Sequence, residues 1–158
     1  RSEVMPNALR MDPLPAFNFI VQFVDDAGAA VTVGGFSECG GLESSFEVQE
    51  YQEGGVNDRV HKFVTRAQFG AITLKHGVTF DGALRSWHDA LLEGRRARRD
   101  GIILLLDERR EPALAWRFQG GLPVKWTGPT LNATASEAAI ETLEIAVERI
   151  APFDPGGL

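Results

Sequence analysis

The three histidines are the residues of this chain best suited to bind a metal or move a proton, and their spacing supports neither use. His61, His76 and His88 belong to no His-x-x-x-His pattern, and a single cysteine cannot form a Cys-x-x-Cys pattern. Metal and redox sites that can be recognised from sequence show such short, fixed spacings. No Gly-x-Ser-x-Gly segment places a serine nucleophile on a strand–helix turn either. We therefore expect no metal, no cofactor and no catalytic residues, and predict that the protein is not an enzyme.

Two glycine pairs, Gly34-Gly35 and Gly40-Gly41, invite comparison with a phosphate-binding loop. No Gly-Lys-Ser or Gly-Lys-Thr follows them, and the next segment has strand periodicity, so no helix N-terminus is available to bind an anion. Turns or bulges around a loop at residues 37–39 are the better interpretation. Cys39, in that loop, is expected to be a small, buried apolar side chain and not a reactive thiol.

Four arginines, Arg95, Arg96, Arg98 and Arg99, form the most basic stretch of a chain with a net charge of −6. Three interpretations stay open. The stretch is a solvated loop whose cations oppose the negative end of a preceding helix, or a salt-bridge patch for acidic residues of a neighbouring subunit, or a nucleic-acid site. The last is the weakest, because no aromatic residues are interleaved for base stacking and the overall acidic charge disfavours nucleic acid.

Length and composition predict one compact globular domain. The chain has 158 residues, of which 44% are hydrophobic and 24% charged, values that are ordinary for such a domain. No apolar run approaches the roughly 20 residues needed to cross a bilayer, and no basic-then-apolar leader opens the chain. We expect an extended, proline-containing N-terminal arm at residues 1–16, a domain at 17–152 and a short C-terminal tail at 153–158.

The first half of the domain shows the period-two alternation that is typical of strands. Phe17, Phe19, Val21 and Phe23 form one apolar face of a strand, and an Asp-Asp-Ala-Gly turn leads to a return strand at 30–36. A third strand is predicted at 46–52, with Glu47 among the residues that face outward. The pattern then breaks down, and residues 53–69 are predicted to be a long loop or arm that contacts partners.

The second half contains the one helix that the sequence predicts, at about residues 81–93. Leu84, Trp87 and Leu91 share a helical face, Asp81 is the predicted N-cap, and Gly94 is suited to the position after the helix. Strands are predicted on both sides, the last two of them separated by the glycine pair at 120–121. These strands cover residues 71–76, 102–106, 113–118 and 122–126.

The C-terminal segment fits two periodicities. Helical spacing relates Ile140, Leu143, Val147 and Ile150, but it would leave Ile145 on the charged side, about 200° from Leu143. A strand accounts for every residue from 143 to 148, with apolar and mainly acidic positions alternating. We predict a strand, and with it a mainly β fold. Seven or eight short strands and one flanking helix would form a small β-barrel or sandwich.

Several short motifs occur in order along most of the chain and together resemble the inner-tube proteins of contractile phage tails and related contractile injection systems. The motifs are Phe36-Ser37-Glu38-Cys39-Gly40-Gly41-Leu42, Tyr51-Gln52-Glu53-Gly54-Gly55-Val56-Asn57, Ile72-Thr73-Leu74-Lys75-His76-Gly77, Trp126-Thr127-Gly128-Pro129 with Leu131-Asn132-Ala133, and Ala139-Ile140-Glu141-Thr142-Leu143-Glu144.

The resemblance implies a small β-barrel with one flanking helix, and six-membered rings that stack into a hollow tube inside a contractile sheath. Sheath contraction would drive the tube through a target envelope and deliver DNA or protein effectors. The expected partners are identical copies, the sheath protein, baseplate and tube-cap proteins, and effector cargo, with nucleic acid only in a true phage tail and no stable membrane association. The particle would assemble in the bacterial cytoplasm and be released outside the cell.

Candidate contacts between subunits lie in two segments. The resemblance points to the arm within residues 53–69 and its approach, and the charge pattern points to the arginine stretch. The candidates are Tyr51, Glu53, Gly54, Gly55, Asn57, Arg95, Arg96, Arg98 and Arg99.

Two alternative functions remain open. The chain could be a tube-initiating subunit close to the baseplate, which its sequence does not distinguish from a main tube subunit. It could also be a small-molecule-binding β-barrel, in which Trp87, Trp116 and Trp126 would line a ligand cavity. Each tryptophan lies in an apolar periodic segment, which favours packing in the core or an interface.

Overall fold

The part of the chain that the computed structural model describes forms ten β-strands and one α-helix. It comprises residues 18–24, 28–33, 35–52, 54–55, 59–78, 82–134 and 136–157, so the predicted N-terminal arm lies outside it. In chain order the elements are β1 (Phe19–Val24), β2 (Ala30–Val33), β3 (Phe36–Gly40), β4 (Ser44–Gln52), β5 (Val60–Phe69), β6 (Ile72–Gly77), α1 (Ala83–Leu92), β7 (Arg99–Leu106), β8 (Pro112–Thr127), β9 (Ile140–Ala146) and β10 (Arg149–Phe153), followed by a short 3-10 helix, Pro155–Gly157.

Eight strands form one antiparallel sheet, and β4 and β5 form a separate two-stranded ribbon. The order in the large sheet is β2-β1-β7-β8-β9-β6-β3, and β10 pairs with β8 next to β9. The terminal strands β2 and β3 are not paired with each other within the described residues. The predicted mainly β fold with one helix is confirmed, with more strands than the seven or eight expected.

Strand β8 is sixteen residues long and continues through the glycine pair that was expected to end it. Its first half pairs with β7 on one edge and β10 on the other, and its second half pairs with β9. Gly120 has a φ of +64°, which is accessible to glycine at little cost. The strand therefore bends at Gly120 and joins the two halves of the sheet, where the sequence had suggested two shorter strands.

The core is built from alternate residues of strands on both halves of the sheet. Strand β9 shows this most clearly, because Leu143 and Ile145 are fully buried between β6 and β8. The strand prediction for this segment is confirmed, but pairing breaks at residues 147–148 and resumes in β10. The other fully or largely buried apolar residues include Val21, Phe23, Ile72, Leu74, Ile103 and Phe118.

Helix α1 covers one side of this core with Leu84 and Trp87. The ring of Trp87 meets that of Phe23 edge to face, with centroids 5.1 Å apart. Gly94, with a φ of +73°, donates to the carbonyl of Leu91, and the next amide donates to that of Ala90, as in a Schellman C-cap. The prediction for Gly94 is confirmed.

The start of α1 differs from the expectation. The N-cap position is taken by Gly82, in the left-handed region, and no side chain caps the helix there. Asp81, the predicted N-cap, lies outside the described residues. Within the described part of the chain, no helix combines the length and apolar composition that crossing a membrane requires.

Residues 37–39 form the middle of strand β3 and not the expected loop. Phe36, expected at the end of the hairpin return strand, begins β3, which pairs with β6 through a bulge between Phe36 and Glu38. A Cβ on Gly41 would overlap the carbonyl oxygen of Ala71, so the close approach of two backbones explains this glycine. Burial raises the pKa of the Cys39 thiol to about 11, which agrees with an unreactive side chain.

A buried polar cluster ties β6, β8 and β9 together beneath α1. The carboxylate of Glu141 is 4% exposed. Its Oε2 accepts a hydrogen bond of 2.9 Å from the indole Nε1 of Trp126, and its Oε1 lies 3.4 Å from Nδ1 of His76. Arg85 of α1 stacks on the Trp126 ring, with its Cζ 4.4 Å from the centroid. One carboxylate thus has partners on two neighbouring strands.

Replacing Trp126 by phenylalanine should destabilise the fold by about 1–3 kcal/mol, because a buried carboxylate oxygen loses its donor. The matched control is Trp116→Phe, which removes the same atoms from a half-buried indole that donates to no described residue. Urea unfolding followed by far-UV circular dichroism measures both changes. Equal losses in the two variants would contradict the role given to the hydrogen bond.

Gly101→Ala should also cost about 1–3 kcal/mol, because the site is already filled. A Cβ there would overlap the Phe118 ring and come within 3.0 Å of the carbonyl oxygen of Gln22. In the control, Gly77→Ala, the new Cβ meets nothing within 4 Å. In thermal unfolding, Gly101→Ala should have a clearly lower Tm than Gly77→Ala. A Gly101→Ala protein as stable as the parent would refute the packing argument.

Candidate functional site

The ribbon formed by β4 and β5, called the hairpin below, is the most exposed part of the described chain. Every residue of β4 is exposed, and in β5 only Phe69 is partly buried. Its strands pair over most of their length, from Ser44 with Phe69 to Gln52 with Val60. The hairpin therefore projects away from the core, held together by its own backbone hydrogen bonds.

One face of the hairpin is apolar although it is exposed to solvent. Directly opposed residues lie on the same side of a two-stranded sheet, and the pairing of Val48 with Val64 and of Gln52 with Val60 places these valines with Phe46. The four side chains are 45–62% exposed. We call Phe46, Val48, Val60 and Val64 the apolar face. The Glu50–Lys62 ion pair lies on the same side and separates Val60 from the other three residues. Clustered exposed apolar side chains such as Phe46, Val48 and Val64 are typical of protein–protein contact sites.

The opposite face carries polar and aromatic side chains. Gln49 lies across from Phe63, and Tyr51 across from His61. Glu47 is on the same side of β4 and is also exposed. We call Glu47, Gln49, Tyr51 and His61 the polar face. Phe63 on this face is 49% exposed and Tyr51 is 55% exposed, so both faces of the hairpin present apolar groups together with polar ones.

The structure brings part of the predicted arm motif to the end of the hairpin. Tyr51 is near the end of β4, and Gly54 and Gly55 form a turn in which Gly55 has a φ of +103°. Glu53 and Asn57 lie outside the described residues. The expectation that residues 53–69 form a loop is wrong for residues 60–69, which are strand β5.

Sequence reasoning missed the apolar face. Phe46 and Val48 were interpreted as the inward side of a strand, with Glu47 facing out, whereas both faces of β4 are exposed. Val60 and Val64 were assigned to a loop because a glycine pair, an Asn-Asp pair and mixed charge interrupt the pattern from residue 53 onwards. The available signal was that these valines recur at even spacing opposite a strand with a similar pattern.

The arginine stretch lies between α1 and β7, and three of its four side chains interact within the subunit. Arg95 pairs with Glu93 at 2.5 Å and Arg98 with Glu148 at 2.6 Å. The Cζ of Arg99 lies 5.3 Å from the centroid of the Trp87 ring. The fourth, Arg96, is exposed and makes no ion pair or hydrogen bond with a described residue.

Candidate catalytic residues do not come together. His61 is on the hairpin, His76 is buried next to Glu141, and Nδ1 of His88 donates a hydrogen bond of 2.6 Å to the carbonyl of Pro123. Among the described residues, no three histidine, cysteine, aspartate or glutamate side chains cluster closely enough to hold a metal ion. The three histidines therefore lie at separate places, and the exposed hairpin is the candidate site, as a surface for protein contacts.

The comparisons with known proteins agree with that interpretation. The sequence profile of the family described as T4-like virus tail tube protein gp19 matches residues 15–151. A chain in the cryo-EM structure of the anti-feeding prophage baseplate has a TM-score of 0.83 at 25% identity, covering 91% of this chain and 97% of that one. A chain in the structure of the anti-feeding prophage tube-terminating cap has a TM-score of 0.78 at 27% identity, covering 92% and 98%.

A further similar structure shares the fold. It is a chain of the sheath–tube complex of an extracellular contractile injection system, PVC, in the extended state, with a TM-score of 0.79 at 24% identity, covering 91% of this chain and 93% of that one. No curated protein matches the sequence at a significant level.

The family match extends over most of the chain and agrees with the ordered motifs of the sequence. The fold agrees as well, because the similar structures belong to tube, cap and baseplate assemblies of phage tail-like particles. Both findings support a structural tube subunit. The resemblance proposed from the motifs is thereby confirmed, and the chain belongs to the family of T4-like virus tail tube proteins.

Proposed function

We propose that this subunit forms rings of six identical copies, and that the rings stack into a hollow tube through the hairpin. The observation that carries the proposal is a projecting ribbon with an apolar face on a subunit that gives it no core to pack against. An isolated two-stranded ribbon is marginally stable in water at best. A neighbouring copy supplies the surface that the hairpin lacks.

Ring formation is supported by the edges of the large sheet. Strands β2 and β3 end the sheet, and their outer edges have no strand partner within the described residues. Free edges are covered or paired with another chain in native proteins, and head-to-tail pairing of such edges closes a ring when the rotation allows it. The number of six follows from the family resemblance and from the six-fold symmetry of the similar baseplate structure.

Stacking is supported by the length of the hairpin. Strand β4 has nine residues, and at about 3.3 Å per residue it spans about 30 Å. A ribbon of that length can reach a neighbouring copy. Tyr51, Glu53, Gly54, Gly55 and Asn57, at or next to the end of the hairpin, are the proposed contacts with the adjacent ring.

In this proposal the tube is a passive conduit without catalytic activity. A separate contractile sheath supplies the energy, and baseplate and cap proteins bind the two ends of the tube. Protein effectors or, in a phage, DNA pass through the lumen. The particle assembles in the bacterial cytoplasm and acts outside the cell after release. The support is the family membership together with the similarity to chains of a baseplate and a tube cap.

A second candidate is a tube-initiating subunit next to the baseplate. It is favoured by the TM-score of 0.83 to a chain of a baseplate structure. An initiating subunit would form single rings or short stacks, whereas a main tube subunit would form tubes of indefinite length. Negative-stain electron microscopy of the purified protein over a range of concentrations distinguishes the two.

Val48→Ser combined with Val64→Ser should abolish stacking while leaving the subunit folded. Both valines are more than half exposed in the subunit, so the two replacements together should change its stability by no more than about 1 kcal/mol. In a stacked tube the same side chains are buried against another copy. Sedimentation and negative-stain microscopy should show soluble rings or single subunits and no tubes.

The matched control is Val78→Ser combined with Val124→Ser, which removes the same groups from two exposed valines outside the hairpin. This variant should form tubes. If the Val48/Val64 variant assembles into tubes at the same concentration as the parent, the hairpin does not form the stacking contact.

A further inference from the structure

We propose that the arginine-lined pocket at the end of α1 is a receptor for the acidic β3–β4 segment of a second copy of this chain. The proposal rests on the proposed function, since it names a second contact between the subunits of the tube. It assigns a role to the arginine stretch, for which the family resemblance offered none. Three observations carry it: the geometry of the pocket, its charge, and the distribution of acidic residues along the chain.

The pocket combines an apolar base with a cationic rim. Its volume is about 550 Å³, and its lining residues are Leu91, Arg95, Arg96, Ala97, Arg98 and Leu122. Arginine donates several hydrogen bonds and accepts none. The pocket therefore suits a segment that offers carboxylates or free backbone carbonyls next to apolar side chains.

The backbone that carries the arginines is fixed by the core. The C-cap at Gly94 holds the amide of Arg95 against the carbonyl of Ala90. Two residues further on, the carbonyl of Ala97 accepts a hydrogen bond from the buried indole of Trp87. A receptor whose backbone is already ordered loses little conformational entropy when it binds.

Part of the positive charge at the pocket is not neutralised within the subunit. Arg96 has no ion pair with a described residue, and the Arg95–Glu93 and Arg98–Glu148 pairs are between side chains that are more than half exposed. Exposed pairs of this kind contribute little to stability and exchange readily with other partners. Arg95 and Arg96 are thus available to an incoming carboxylate, while Arg98 also holds the carbonyl of Gly120.

The complementary charge is found in the first third of the same chain. Residues 11–58 contain nine acidic residues and no lysine or arginine: Asp12, Asp25, Asp26, Glu38, Glu43, Glu47, Glu50, Glu53 and Asp58. The acidic segment of one copy is therefore attracted to the arginine stretch of another copy, which makes a second copy a suitable partner. Head-to-tail contact between unlike surfaces is also the geometry that produces rings and stacks.

Within that acidic segment, Glu43 and Glu47 are the residues that match the pocket. Both are exposed and have no ion pair with a described residue, whereas Glu38 and Glu50 already face Lys75 and Lys62. The backbone carbonyls of Glu43 and Glu47 already accept hydrogen bonds from the amide of Gly70 and the hydroxyl of Thr65, so the two carboxylates are the groups offered to arginine.

Charge reversal tests the proposal. Arg96→Glu should raise the protein concentration needed for tube assembly by at least about tenfold, because like charges then face each other. Glu43→Lys combined with Glu47→Lys should have a similar effect. Combining all three substitutions restores opposite charges, and assembly should return to within about threefold of the parent. Sedimentation and negative-stain microscopy at low and high salt measure the four proteins, and high salt should shrink the differences.

Arg109→Glu, in the exposed β7–β8 turn, is the matched control and should assemble like the parent. The proposal is overturned if Arg96→Glu assembles like the parent, or if the triple variant is no better than Arg96→Glu alone. It is also overturned if the parent binds single-stranded DNA and Arg96→Glu abolishes that binding without affecting assembly. A parent protein that forms neither rings nor tubes at any concentration would refute the proposed function itself. If the parent forms tubes and the charge-reversal variants assemble equally well, only this contact is refuted.

Discussion

The fold depends on strand β8, which pairs with β7 and β10 along its first half and with β9 along its second half. Buried backbone groups without partners are costly, so the strands that pair with β8 must follow its change of direction. The bend at Gly120 allows this, and the interruption between β9 and β10 lies opposite it, where the amide of Glu148 donates to the carbonyl of Gln119. The positions of the core, the helix and both free sheet edges therefore depend on this one strand.

The bend also connects the arginine stretch to the sheet. Arg98 donates to the carbonyl of Gly120 and pairs with Glu148 across the interruption, and Asp100 accepts from the amide of Gly120. Gly120 has a φ of +64°, which residues with a side chain rarely adopt, and a Cβ there would also displace the side chain of Glu148, so glycine suits this corner best. Part of the basic charge that seemed available for partners is therefore structural, which leaves Arg95 and Arg96 as the outward-facing cations.

The elements that the sequence predicted well are those whose pattern has a single physical cause. Strand β9 alternates because its inward residues are buried between two neighbouring strands, and α1 ends at Gly94 because a left-handed residue closes the helix. The hairpin was only half predicted. Its valines lie outside the subunit's own core, so the alternation that marks a buried strand face did not apply to them. Strand β8 was divided because a glycine pair marks a bend and a strand end alike.

The subunit has a hairpin that its own core does not stabilise. The order of that ribbon must then come in large part from its neighbours, so its local opening free energy is set by assembly and not by folding. A free subunit would open first at the hairpin and expose it to proteases, whereas an assembled one would be protected. If the hairpin packs in the tube as proposed, copies that fail to join a tube would be the ones most readily degraded.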